Sequence, residues 1–174
     1  MADRTPSQTI GPFFHEALRW ADGGRVSFAE KGERVVLAGR ITDGAGEPVA
    51  DAMVETWQLS PSGAMPQPAR EGTRPHGFAR VETGPDGEFR IETLMPGGTA
   101  APCLDVAIFA RGLLKPLRTR VYLADEARVR QEALLAPIAA SPRLATLVAR
   151  AGGGGEYRWD VRLQGEGETV FFGA

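Results

Sequence analysis

Few side chains in this 174-residue sequence can do chemistry, and their spacing limits what that chemistry could be. The thiol of Cys103 stands at the head of a mainly apolar run, 104–110, that ends at Arg111 and Gly112. A thiolate nucleophile needs a nearby base or cation, and neither His15 nor His76 is close in sequence, so Cys103 reads first as a small buried hydrophobe. A metal centre needs several His, Cys, Tyr or carboxylate donors gathered by the fold. No histidine here follows another at i+2 or i+4, and Tyr122 and Tyr157 lie inside apolar strand-like runs, so they read as surface histidines and structural tyrosines. Glu166 and Glu168, each flanked by glycine, could share acid/base work, but exposed turn glutamates are the commoner case. The glycine stretch 152–155 lacks the Lys-Ser/Thr ending of a phosphate-binding loop. From spacing alone, no self-contained active site emerges.

The elements that would position these residues are mostly strands. Twenty-two glycines and 13 prolines punctuate short apolar runs, at intervals of roughly ten residues, as in sandwiches and barrels. The segment 34–59 reads as two strands separated by Asp43-Gly44-Ala45-Gly46, and 77–97 reads as a hairpin turning at Pro85-Asp86-Gly87. Residues 115–125 form a further strand, and 156–165 alternates strictly, with Tyr157, Trp159, Val161 and Leu163 on one face. Helices are few. Ser141 is placed to cap and Pro142 to open a short helix over 141–150, and 124–135 forms either a second helix or a turn-rich crossing. The fold class expected is all-β: a single two-sheet β-sandwich over 1–174 with one or two short helices.

Composition narrows the function classes. The formal net charge is −2, with 20 Lys+Arg against 22 Asp+Glu. That balance offers no basic excess for a nucleic-acid backbone or an anionic membrane. No apolar run approaches the ~20 residues that span a bilayer, and the start lacks the pattern of a secretory signal. The single cysteine agrees with a reducing compartment, so the cytoplasm is the expected location.

Longer motifs add what spacing does not. "TPSQTIGPFF" (5–14), "GRITDGAGEPVADAMVETWQ" (39–58), "GFARVETGPDGEFRIETLMPG" (77–97), "FARG" (109–112), "TRVYLADE" (119–126) and "YRWDVRLQGEGETVFF" (157–172) together span nearly the whole chain. In these segments the sequence resembles the intradiol catechol dioxygenases, and most closely the α chains of their heteromeric members. The resemblance implies a prealbumin-like β-sandwich with an extended N-terminal arm, residues 1–14, packed on a partner chain. It also implies an (αβ)n oligomer in which Fe(III) sits in the β chain, held by two tyrosines and two histidines, while the α chain binds no metal.

The residues at the corresponding positions agree with that implication. Met65 stands in place of the first tyrosine, the second falls near Thr99, and the His-x-His pair falls at Cys103 and Asp105. A thioether and an alcohol do not suit ferric iron as phenolate and imidazole do. By resemblance, Thr9, Gly11, Pro12 and Phe13 line the substrate pocket of the partner chain, and Arg111 faces it as well. The substrate implied is a dihydroxybenzoate whose hydroxyls bind the iron and whose carboxylate points away. A fixed guanidinium suits such a carboxylate. The plainer alternative pairs Arg111 with a local acid, Asp105 or Asp125, and makes the arm a mere dimer clasp. Two other readings exist: a non-enzymatic prealbumin-like module of the kind found in transport and adhesion proteins, which lacks the two end motifs, and a stand-alone dioxygenase, which fails on the missing ligands.

Overall fold

The computed structural model describes residues 18–65, 76–98 and 100–173. The N-terminal positions Thr9, Gly11, Pro12 and Phe13, together with His15 and Thr99, lie outside them. The expected β-sandwich is observed. One sheet holds β1 (Arg34–Thr42), β4 (Glu88–Leu94), β7 (Arg150–Ala151), β8 (Glu156–Arg158) and β9 (Val161–Arg162), in the order β4-β1-β8-β7 with β9 also on β1. The other holds β2 (Met53–Trp57), β3 (Phe78–Glu82), β5 (Cys103–Phe109) and β6 (Leu117–Tyr122), in the order β3-β2-β5-β6, antiparallel throughout. Among the described residues no helix is long and apolar enough to cross a membrane.

The period of two places the core. On β1 the buried positions are Val35, Leu37, Gly39 and Ile41, and on β5 they are Leu104, Val106 and Ile108. These rows face each other across the sandwich, with Val54, Phe89, Ile91, Val121, Trp159 and Val161 filling the space between. The alternating run 156–165 keeps its apolar face inward but breaks into β8 and β9. At the break Trp159 N donates to Ala38 O (2.9 Å), and Asp160 Oδ1 accepts from Arg40 N (3.1 Å) where a backbone carbonyl would have served. Gly39 makes this crossing possible, because a Cβ there would fall on the Trp159 carbonyl oxygen and within 2.7 Å of the Phe89 ring. Gly39→Ala is expected to cost about 1–3 kcal/mol through overpacking, read as a lower urea midpoint.

The segment 77–97 is not a hairpin, which corrects the sequence-based expectation. Its Pro85-Asp86-Gly87 turn forms, with Gly87 at φ +72°. However, β3 pairs with β2 and β4 with β1, so the turn carries the chain from one sheet to the other. The open side between β3 and β4 is closed by the segment 23–27. There Gly23 O accepts from Arg80 N (2.9 Å), Gly24 O accepts from Glu92 N (2.7 Å) and Val26 N donates to Glu92 O (2.8 Å). Pairing both edges this way hides backbone groups that would otherwise invite strand addition.

The helical stretch is short. α1 (Glu126–Val129) is capped by Asp125, whose side chain accepts from Arg128 N. Two 3₁₀ turns follow, Ala133–Ile138 and Pro142–Leu147, the second capped by Ser141 as its sequence predicts. Their buried Val129, Leu135, Leu144 and Leu147 form a second core with Tyr122 and Cys103. This core lies on the outer face of the second sheet, over one end of β5 and β6.

Candidate functional site

The outer face of the second sheet brings together three of the singled-out residues, Cys103, Asp105 and Tyr122. On β5 it carries Cys103, Asp105, Ala107 and Phe109; on β2, Met53, Glu55 and Trp57; on β6, Arg118, Arg120 and Tyr122. Register sets Cys103 opposite Tyr122 and Asp105 opposite Arg120. Arg120 donates to Asp105 Oδ1 through both Nε (2.7 Å) and Nη2 (2.6 Å). Met65 is exposed and lies in the loop that follows β2.

The local electrostatics disfavour a thiolate at Cys103 and leave Asp105 paired with Arg120. Burial pushes the Cys103 thiol up to about 11; Arg120 pulls against this, while Asp105 and Glu132 add to it. Burial likewise raises Tyr122, and the neighbouring Arg120 works against that rise through its polar contact with the hydroxyl and its charge. Burial also works against the Arg120 charge, but Tyr122, Cys103 and Asp105 outweigh it and hold the guanidinium above its usual range. Cys103, Asp105 and Met65 therefore offer a protonated thiol, a carboxylate engaged by arginine and an exposed thioether. A permanent cation beside them would repel a metal ion. These residues do not fit ferric iron.

The thiol's state is measurable. With the folded pKa near 11, against an ordinary 9.0, iodoacetamide at pH 8 is expected to alkylate the folded chain about a hundredfold more slowly than the unfolded chain. The sign for stability follows, since folding disfavours the thiolate. This contribution is fully present below pH 9 and fades as pH rises toward 11.

Arg111 lies at the other end of β5. Six residues separate it from Asp105, about 20 Å of strand, and Asp105 is held by Arg120. Asp125 is spent on the α1 cap. The acid that Arg111 meets is neither of these but Asp51, in the turn before β2, which accepts from its Nε. Sequence reasoning missed Asp51 because 60 residues separate the pair; only the β2–β5 register could have pointed to it. The Arg111 side chain remains 65% exposed. Glu168 pairs with Arg143, which gives that glutamate a structural use.

Comparison with known proteins extends this picture. The family model described as "Dioxygenase" matches residues 10–104. The protocatechuate 3,4-dioxygenase alpha chain of Burkholderia cepacia is 39% identical over 97% of this chain and 96% of its own length. The chain belongs to the intradiol dioxygenase family. The intradiol likeness weakens toward another type of chain: the protocatechuate 3,4-dioxygenase beta chain of the same organism is 31% identical over 52% of this chain and 40% of its own. In three dimensions, the dioxygenase domain of a carbohydrate-binding fusion from Streptomyces sp. SirexAA-E superposes with a TM-score of 0.60, covering 92% of this chain and 99% of that one at 22% identity. The fold shared with that domain is the sandwich described above.

Proposed function

We propose that this chain is the α subunit of a heteromeric protocatechuate 3,4-dioxygenase, forming an (αβ)n assembly with a β chain that carries the Fe(III). The observation that carries the reading is the full-length similarity to an alpha chain, set against half-length similarity to a beta chain. The misfit of Cys103, Asp105 and Met65 to ferric iron supports it. The assembled enzyme opens the ring of 3,4-dihydroxybenzoate between its two hydroxyl-bearing carbons and inserts both atoms of O₂, giving 3-carboxy-cis,cis-muconate. When bound in the partner, the ferric ion activates the catecholate toward O₂.

This chain's part is to shape the pocket. Thr9, Gly11, Pro12 and Phe13, in the arm 1–14, line its mouth, and Arg111 presents positive charge to the substrate carboxylate. The exposure of the Arg111 side chain supports that role, since a partner's ligand can reach it. Co-expression with the β chain, followed by iron analysis and an oxygen-uptake assay, tests the reading.

A further inference from the structure

Asp51 and Arg111 are brought together by the sheet itself. In the ladder of β2 on β5, Met53 faces Phe109 and Glu55 faces Ala107. Carried one alternate pair beyond the strand ends, the same register sets Asp51 opposite Arg111, and Arg111 Nε donates to Asp51 Oδ2. The two side chains are unequally enclosed, at 19% exposure for Asp51 and 65% for Arg111. The turn holding Asp51 is pinned by the buried Thr83, whose Oγ1 donates to Val49 O (2.6 Å) and accepts from Ala52 N (2.9 Å). The carboxylate is therefore the fixed end of the pair and the guanidinium the reaching end. With Nε engaged, the opposite edge of the guanidinium, formed by Nη1 and Nη2, stays available for a carboxylate in the two-pronged geometry arginine favours. Among the described residues neither Nη nitrogen has a hydrogen bond.

We infer that Asp51 is a positioning residue for substrate binding, holding the Arg111 guanidinium so that its Nη edge meets the carboxylate of the dihydroxybenzoate. The inference rests on the proposed role of Arg111. Without Asp51 the arginine keeps its charge but must be immobilised by the ligand itself, a side-chain ordering cost that weakens binding about three- to tenfold.

The test uses the co-expressed αβ enzyme with Asp51→Ala, Asp51→Asn and Arg111→Ala, each compared for iron content and thermal unfolding. D51A is expected to raise KM for 3,4-dihydroxybenzoate about three- to tenfold, with kcat retained and with KM for catechol, which has no carboxylate, unchanged. Anaerobic titration with 3,4-dihydroxybenzoate is expected to show the same loss in Kd. D51N keeps an acceptor for Nε and is expected to recover most of the loss; Asp51→Glu, with its carboxylate displaced by one methylene, substitutes for D51A if that variant does not fold. A lowered KM in both D51A and D51N would mean that Asp51 merely neutralises Arg111, and would overturn the inference. Equal losses on catechol and dihydroxybenzoate would make Asp51 structural and overturn it too. If R111A impairs dihydroxybenzoate binding while D51A does not, positioning alone fails; if R111A is also silent, the role of Arg111 fails with it.

Discussion

Purified without a partner, this chain is expected to be colourless, to hold no ferric iron, and to consume no oxygen with 3,4-dihydroxybenzoate; co-expressed with an iron-bearing β chain, it is expected to yield a coloured and active complex. The expectation follows from the donors. Anionic oxygen and imidazole donors suit ferric iron, and a neutral thiol or thioether does not. Here Cys103 is held as a thiol by burial, Asp105 is bound through one oxygen to Arg120, and Met65 offers a thioether to solvent. Bringing a trivalent cation to this face means displacing or opposing the Arg120 guanidinium, a repulsion of several kcal/mol at close range in a partly buried site. Iron analysis and visible absorption of the isolated chain read the result directly. A purple-red tyrosinate-to-iron band from this chain alone would reject both the donor argument and the assignment as an α subunit.

Arg111→Ala in the assembled enzyme carries the second large effect. A charge-assisted hydrogen bond to a carboxylate contributes about 1.5–3 kcal/mol, so KM for 3,4-dihydroxybenzoate is expected to rise about 10- to 100-fold. Iron content is expected to stay unchanged, because a guanidinium is not a metal donor and in the proposed assembly the metal sits in the partner chain. Arg111→Lys is expected to recover part of the loss, since a lysine keeps the charge but not the planar two-pronged donor. The charge also predicts that added salt weakens the wild-type enzyme for the carboxylated substrate more than the R111A enzyme. Unaltered KM and kcat in R111A would remove the residue from the pocket.

Much of this was legible in the sequence. The inward rows of β1 and of 156–165 follow from alternation, the Gly87 turn from its Pro-Asp-Gly, and the cap at Ser141 from the Pro that follows it. The motif likeness identified the family. These are local facts, since side-chain period, turn conformation and capping depend on a few adjacent residues.

The tertiary structure alone decided which strands pair. A turn of the right shape at 84–87 looks like a hairpin, yet β3 and β4 belong to different sheets because burying both apolar faces requires their partners to be β2 and β1. The fate of the charged groups follows from that choice. Asp105 meets Arg120 and Arg111 meets Asp51 only because β5 lies between β6 and β2 in one register. A shift of one residue would send every one of these side chains to the opposite face. That register is fixed by the whole buried interface between the sheets, which no short stretch of sequence contains.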